Sequence, residues 1–140
     1  MVNSRSQTML VAIVGLLMSA IPALAHHSFN AEYDNKKFIT IKGVITKIDW
    51  INPHVAWDVD VKDDNGTVNT WKISNISPIE WRAAHVTRSM AGTVGETVTV
   101  QGWLARDGTQ RRVWGKTLTF QDGHKINVEG SFYGNDPNAN

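Results

Sequence analysis

The sequence predicts a mostly β fold, a small barrel carrying one helix, and three observations predict it. Large apolar residues recur at every second position from Val55 to Val61, with Asp58 and Asp60 between the later ones. Turn signals such as Asp64-Asn65-Gly66 and Asp122-Gly123 separate several short stretches of this kind, and only the segment opening at Ser77-Pro78 changes to helical spacing.

The first strand is expected from Phe38 to Trp50. Ile39 and Ile41 share a face with Val44, Ile48 and Trp50 only if one extra residue enters near Gly43, so a β-bulge that bends the strand is expected at that glycine. Asn52-Pro53 ends the strand. In the second, Val55, Trp57, Val59 and Val61 point inward and Asp58, Asp60 and Lys62 outward; the two acids read as solvent-facing. The turn at Asp64-Asn65-Gly66 leads into a third strand, Thr67 to Ile73, with Trp71 and Ile73 as its apolar members. Ser77 is a helix N-cap, Pro78 suits the first turn, and Glu80 completes a capping box. Ile79, Ala83, Val86 and Met90 recur at helical spacing, which extends the helix to Met90, and Gly92 closes it. A fourth strand, Thr97 to Leu104, and a fifth, Arg112 to Phe120, flank a turn at Asp107-Gly108, and Asp122-Gly123 opens a small hairpin into Lys125 to Val128. Three strands, a helix and two more strands, the first long and bent at a glycine, is the order of a five-stranded OB-like barrel. A small β-sandwich is the alternative.

Upstream of these elements the chain reads as an export leader. Arg5 precedes the apolar run from Met9 to Ile21, and Ala23-Leu24-Ala25 forms a small-residue cleavage pattern, so residues 1–25 are expected to be a signal peptide cut after Ala25. The run is shorter than the about 20 residues a membrane span requires, and no stable membrane insertion is expected after cleavage. The remaining organisation is an N-terminal segment 26–37, an OB-like domain 38–130 and a flexible tail 131–140. Localisation to the periplasm follows. Removing the leader takes away Arg5 and no acid, so the basic and acidic residues balance, which argues against a nucleic-acid partner. The chain has no cysteine, which excludes disulfides, thiolate chemistry and iron–sulfur clusters.

Two constellations carry chemistry. After cleavage His26 would have a free amine beside its imidazole, and these two nitrogens chelate one ion. With His27, or better with His54 in the loop after Trp50, they make a nitrogen-rich metal site of the kind that suits Cu(II). Incidental terminal histidines are the competing reading. The second constellation is aromatic. The sequence has six tryptophans. Trp103 and Trp114 fall out of phase with Val98 and Val113, so an exposed stacking surface with Arg112 is one reading and a secondary core under the C-terminal hairpin the other. Asn52 belongs with this ligand or partner surface, because OB barrels bind through the loop between strands 1 and 2. No nucleophile elbow, zinc-protease or phosphate-loop motif occurs, and no catalytic residue is assigned.

Several motifs together resemble a family of small exported bacterial proteins classed as a domain of unknown function. They are His26-His27-Ser28-Phe29, Glu32-Tyr33-Asp34, the stretch Ile41 to Trp50, Asn52-Pro53-His54, Val59-Asp60-Val61, Gly95-Glu96-Thr97-Val98-Thr99-Val100 and Asp122-Gly123. The resemblance implies secretion to the periplasm, a small β fold and no established activity. It also implies a glycine and a tryptophan where this chain has His85 and Val86, and a proline pair where it has Ile76 to Pro78. The functional expectation is a periplasmic, non-catalytic binding or accessory protein that holds copper through its mature N-terminal histidine. The alternatives are a metal-free module holding a small ligand or a periplasmic protein on its OB face, and an uncharacterised enzyme.

Overall fold

The computed structural model describes residues 29–108 and 110–127. The expected leader, His26, His27 and the tail 131–140 lie outside the described residues. In order, the elements are α1 (Phe29–Glu32), β1 (Tyr33–Trp50), β2 (Val55–Lys62), β3 (Val68–Ser74), α2 (Pro78–Ala83), a 3-10 turn (Arg88–Met90), β4 (Thr97–Ala105), β5 (Arg112–Phe120) and β6 (Lys125–Asn127).

The strands are hydrogen-bonded in the order β3-β2-β1-β4-β5-β6, and β3 also pairs with β5. That last pairing is parallel and joins Lys72 to Arg112, Ile73 to Val113 and Ser74 to Trp114. It closes β1-β2-β3-β5-β4 into a ring, with the helix between β3 and β4. The architecture is the expected OB-like barrel, extended by β6 on β5. Ile45, Val55, Trp57, Val59, Ile73, Val98, Val100, Val113 and Leu118 fill its interior. The alternation Val55-Trp57-Val59 faces inward as the sequence predicts. Trp57 also has a polar anchor, since its Nε1–H donates to the Ala91 carbonyl at 2.9 Å.

The long first strand departs from expectation in two places. Its register against β2 shifts between Ile45 and Lys47, so the extra residue is Thr46 and the bulge lies beyond Gly43. Ile39, Ile41 and Ile45 therefore keep one phase, Ile48 and Trp50 resume it after the bulge, and Val44 is 41% exposed on the other face. Gly43 serves a close approach instead: a Cβ there would lie 2.3 Å from the Asp60 carbonyl oxygen. The strand also begins at Tyr33, inside the segment expected to precede the barrel. Tyr33 pairs with Ala105 and Phe38 with Trp103, so Asp34 to Lys37 bulge out between them. The polar bulge interrupts the alternation that would have revealed the strand.

The helix is half the expected length. Its start is as predicted: the Ser77 hydroxyl accepts from the Glu80 amide, the Glu80 carboxylate accepts from the Ser77 amide, and Pro78 occupies the first turn. It stops at Ala83 because His85 adopts φ 60°, in the left-handed region. The His85 amide then donates to the Arg82 carbonyl at 3.0 Å and the Val86 amide to the Trp81 carbonyl at 2.9 Å. These two bonds make a Schellman ending with His85 at the position glycine normally takes. Val86 packs on the core as the residue after the helix end, which explains why it matched the helical period without continuing the helix. Ile79 is 66% exposed, and Trp81 is the helix residue that enters the core.

Candidate functional site

Outside the barrel, a second apolar cluster forms where α1 and the start of β1 fold over β4 and β5. Tyr33, Trp103 and Ala105 are its buried members, with Phe29, Phe38 and Trp114 packed against them. Alternation explains the placement: Val113 points into the barrel, so Trp114 beside it points out, and Trp103 is its cross-strand partner. The Phe29 ring stacks on Tyr33 at 5.5 Å and meets Trp103 and Trp114 edge-on at 5.4 and 6.1 Å. Tyr33 meets Trp114 at 5.5 Å, and Phe38 meets Trp103 at 5.1 Å. Such pairs contribute about 0.5–1.5 kcal/mol each beyond the area they bury.

Trp103 is 1% exposed, which corrects the expectation of a bare stacking surface. The rings that such a surface would present are covered by the chain's own Phe29 and Tyr33. A secondary core is the correct reading, but its cover is the N-terminal segment, not the C-terminal hairpin.

Arg112 ties that cover down. Its Nη2–H donates to Glu32 Oε2 at 2.8 Å, its Nη1–H donates to Gln110 Oε1 at 3.0 Å, and its guanidinium carbon lies 5.7 Å from the Tyr33 ring centre. A hydrogen bond with the Tyr33 side chain, followed by the Glu32 carboxylate, raises the Arg112 pKa further above its ordinary range. The ion pair is partly solvated and is worth on the order of 1 kcal/mol or less.

His54 enters the same corner from the loop joining β1 to β2. Its ring meets Trp114 edge-on at 5.3 Å. Nδ1 lies 2.9 Å from the Asn75 carbonyl oxygen. A carbonyl only accepts, so Nδ1 carries the proton, and in the neutral ring Nε2 keeps its lone pair. This is the arrangement that presents Nε2 of an exposed histidine to a metal ion. The Asn52–Pro53 peptide before it is cis, and Asn52 is exposed in the same loop.

Asn75, which has no sequence signature, holds this corner together. It is the one buried polar side chain among the described residues. Its amide Nδ2–H donates to the Gly115 carbonyl, and its Oδ1 accepts from the Ile76 amide at 2.6 Å. Its backbone amide donates to the Val55 carbonyl at 2.9 Å, and the Val55 amide donates to the Ile76 carbonyl at 3.0 Å. The parallel ladder between β3 and β5 ends at Ser74 and Trp114, and the Asn75 side chain supplies the next link, to Gly115. One residue thus finishes the barrel seam and fixes the carbonyl that orients His54.

Of the residues singled out in the sequence, the fold brings His54, Trp114, Trp103 and Arg112 around the N-terminal segment. His26 and His27 fall outside the described residues. Among the described residues, no three His, Cys, Asp or Glu side chains form a metal-holding group. No helix among them is long and apolar enough to cross a membrane.

Among solved structures, the S. pombe Stn1–Ten1 complex is similar at 21% identity and a TM-score of 0.45, over 60% of this chain and 57% of that one. No curated protein matches. The model of the family of unknown function DUF6152 matches residues 13–115, and the chain belongs to that family.

Proposed function

We propose that this is an exported, non-catalytic binding module that holds one Cu(II) ion at the corner built by His54, Asn75 and Trp114. Cleavage after Ala25 is part of the proposal, because it frees the amine of His26. That amine and the His26 ring supply two nitrogens, and His54 Nε2 supplies the third. The observation that carries the reading is the docking of Phe29 against Trp114, whose ring abuts His54. His26 precedes Phe29 by three residues, a reach of about 10 Å when extended. The N-terminal segment therefore needs no long run back along β1 to approach His54.

Calorimetric titration with Cu(II) at neutral pH, in a weakly competing buffer, tests it. Protein beginning at His26 is expected to bind one ion, and an alanine placed before His26 or the substitution His54→Ala is expected to weaken binding at least tenfold. Equal affinities for all three would sink the copper site. The exposed Ile51 and Asn52 of the same loop would then remain as the surface of a metal-free module for a small ligand or protein partner.

A further inference from the structure

A different histidine carries a second device. His124 lies in the turn between β5 and β6, with its ring stacked on Phe120 at 4.2 Å and 10°. Its Nδ1 is 2.5 Å from Asp122 Oδ1, and its Nε2 is 3.0 Å from the Met90 carbonyl oxygen. The carboxylate and the carbonyl are both acceptors, so both ring nitrogens must donate. Only the imidazolium does so. Neutral His124 has one proton for two acceptors and loses one of the contacts.

The contact to Met90 bridges parts of the chain that share no strand pairing. Met90 ends the 3-10 turn, and the next residue, Ala91, is fully buried and accepts from Trp57. Gly92 follows, so close to Phe120 that a Cβ would lie 2.5 Å from the ring. Phe120 is therefore held between Gly92 and the His124 ring, and the turn roofs the end of the barrel above Trp57. We propose that protonated His124 is a pH-dependent latch that holds residues 88–92 closed over this end of the barrel.

The charged surroundings agree with that role. Asp122 and Glu96 are the charges that act on the imidazole, and both are acidic; Arg88 on the 3-10 turn and Lys125 on β6 are not among them. The Met90 carbonyl first, then Asp122, raises the His124 pKa above its ordinary value of 6.5. A raised folded-state pKa means that the latch is fully engaged below about pH 6.5 and is released as pH rises through the folded value.

Amide hydrogen exchange, read as protection factors for Met90 and Ala91 between pH 5.5 and 8.5, tests the latch. Their amides donate within the turn, to Thr87 and Arg88. In the natural chain these protection factors are expected to fall about threefold or more across the range, with the fall centred on the titration of His124 followed by NMR. The fall is expected to vanish in His124→Gln and to shrink in Asp122→Asn, whose exposed side chain leaves the core untouched. Protection independent of pH in the natural chain, or the same fall in both variants, would overturn the latch. If His124→Gln does not fold, Asp122→Asn and the natural chain decide the matter.

Discussion

His54 and His124 stand in the same relation to the barrel, each one residue before a strand, and each has a ring nitrogen at a main-chain carbonyl. They differ in the second nitrogen. At His54 the carbonyl of Asn75 occupies Nδ1, and Nε2 is left to accept or to ligate. At His124 the carboxylate of Asp122 occupies the other side, so the ring is suited to carrying charge. One acceptor at an imidazole selects a tautomer, and two select the cation. The first arrangement leaves one nitrogen lone pair open on the neutral ring, which the proposed copper site requires, and the second leaves none while the ring is protonated.

The comparison is broken most severely at the residue that orients His54. Asn75→Ala removes the partners of the Gly115 carbonyl and the Ile76 amide in a fully buried setting, and is expected to cost about 3 kcal/mol in urea denaturation. Phe29→Ala is expected to cost less, about 2 kcal/mol, since its ring is only half buried, and to weaken Cu(II) binding in the same preparation. Next in size is the separation of the two histidines by metal. His54→Ala is expected to lose at least about 1.4 kcal/mol of Cu(II) affinity, equivalent to tenfold, and His124→Ala to lose none in the same calorimetric titration.

A third histidine gives the smallest effect and sharpens the point that position alone decides the role. His85 has neither arrangement and occupies a left-handed backbone position at the end of α2. His85→Gly is expected to raise stability by roughly 0.5 kcal/mol, the relief at positive φ exceeding the entropy that glycine adds to the unfolded chain. Thermal denaturation at fixed pH measures it, and an unchanged or lowered midpoint would count against the strain. Glycine is the residue that this backbone geometry favours.

The barrel was legible where burial is one-sided. The alternation from Val55 to Val61 and the capping box at Ser77 needed no tertiary information. The bulge at Thr46 was legible as a phase change, yet was displaced to Gly43, because the sequence marks a glycine and not the reason for it. Gly43 is there for the Asp60 backbone. The helix was overextended because Val86 satisfies the helical period from a position after the Schellman turn, where spacing and structure coincide by accident. The site was half legible. His54, Trp103, Trp114 and Arg112 have the residue types that draw notice, but the pairing of Arg112 with Glu32 spans 80 positions and no local pattern announces it. Asn75 looks like an ordinary loop asparagine; only the end of the parallel ladder beside it reveals its work.

The seam between β3 and β5 has a consequence for how the barrel comes apart. Its three residue pairs and the Asn75 link join positions 40 residues apart, so the chain must lose the entropy of a long loop before any of these contacts forms. Contacts of that kind are made late in folding. Weakening them is expected to speed unfolding while leaving the folding rate nearly unchanged, which stopped-flow measurements on Asn75→Ala would show. A barrel that opens at the seam exposes the free edges of β3 and of the first half of β5, a template for strand addition by another chain. Self-association under mild destabilisation is therefore expected to begin at Lys72 to Ser74 and Arg112 to Trp114.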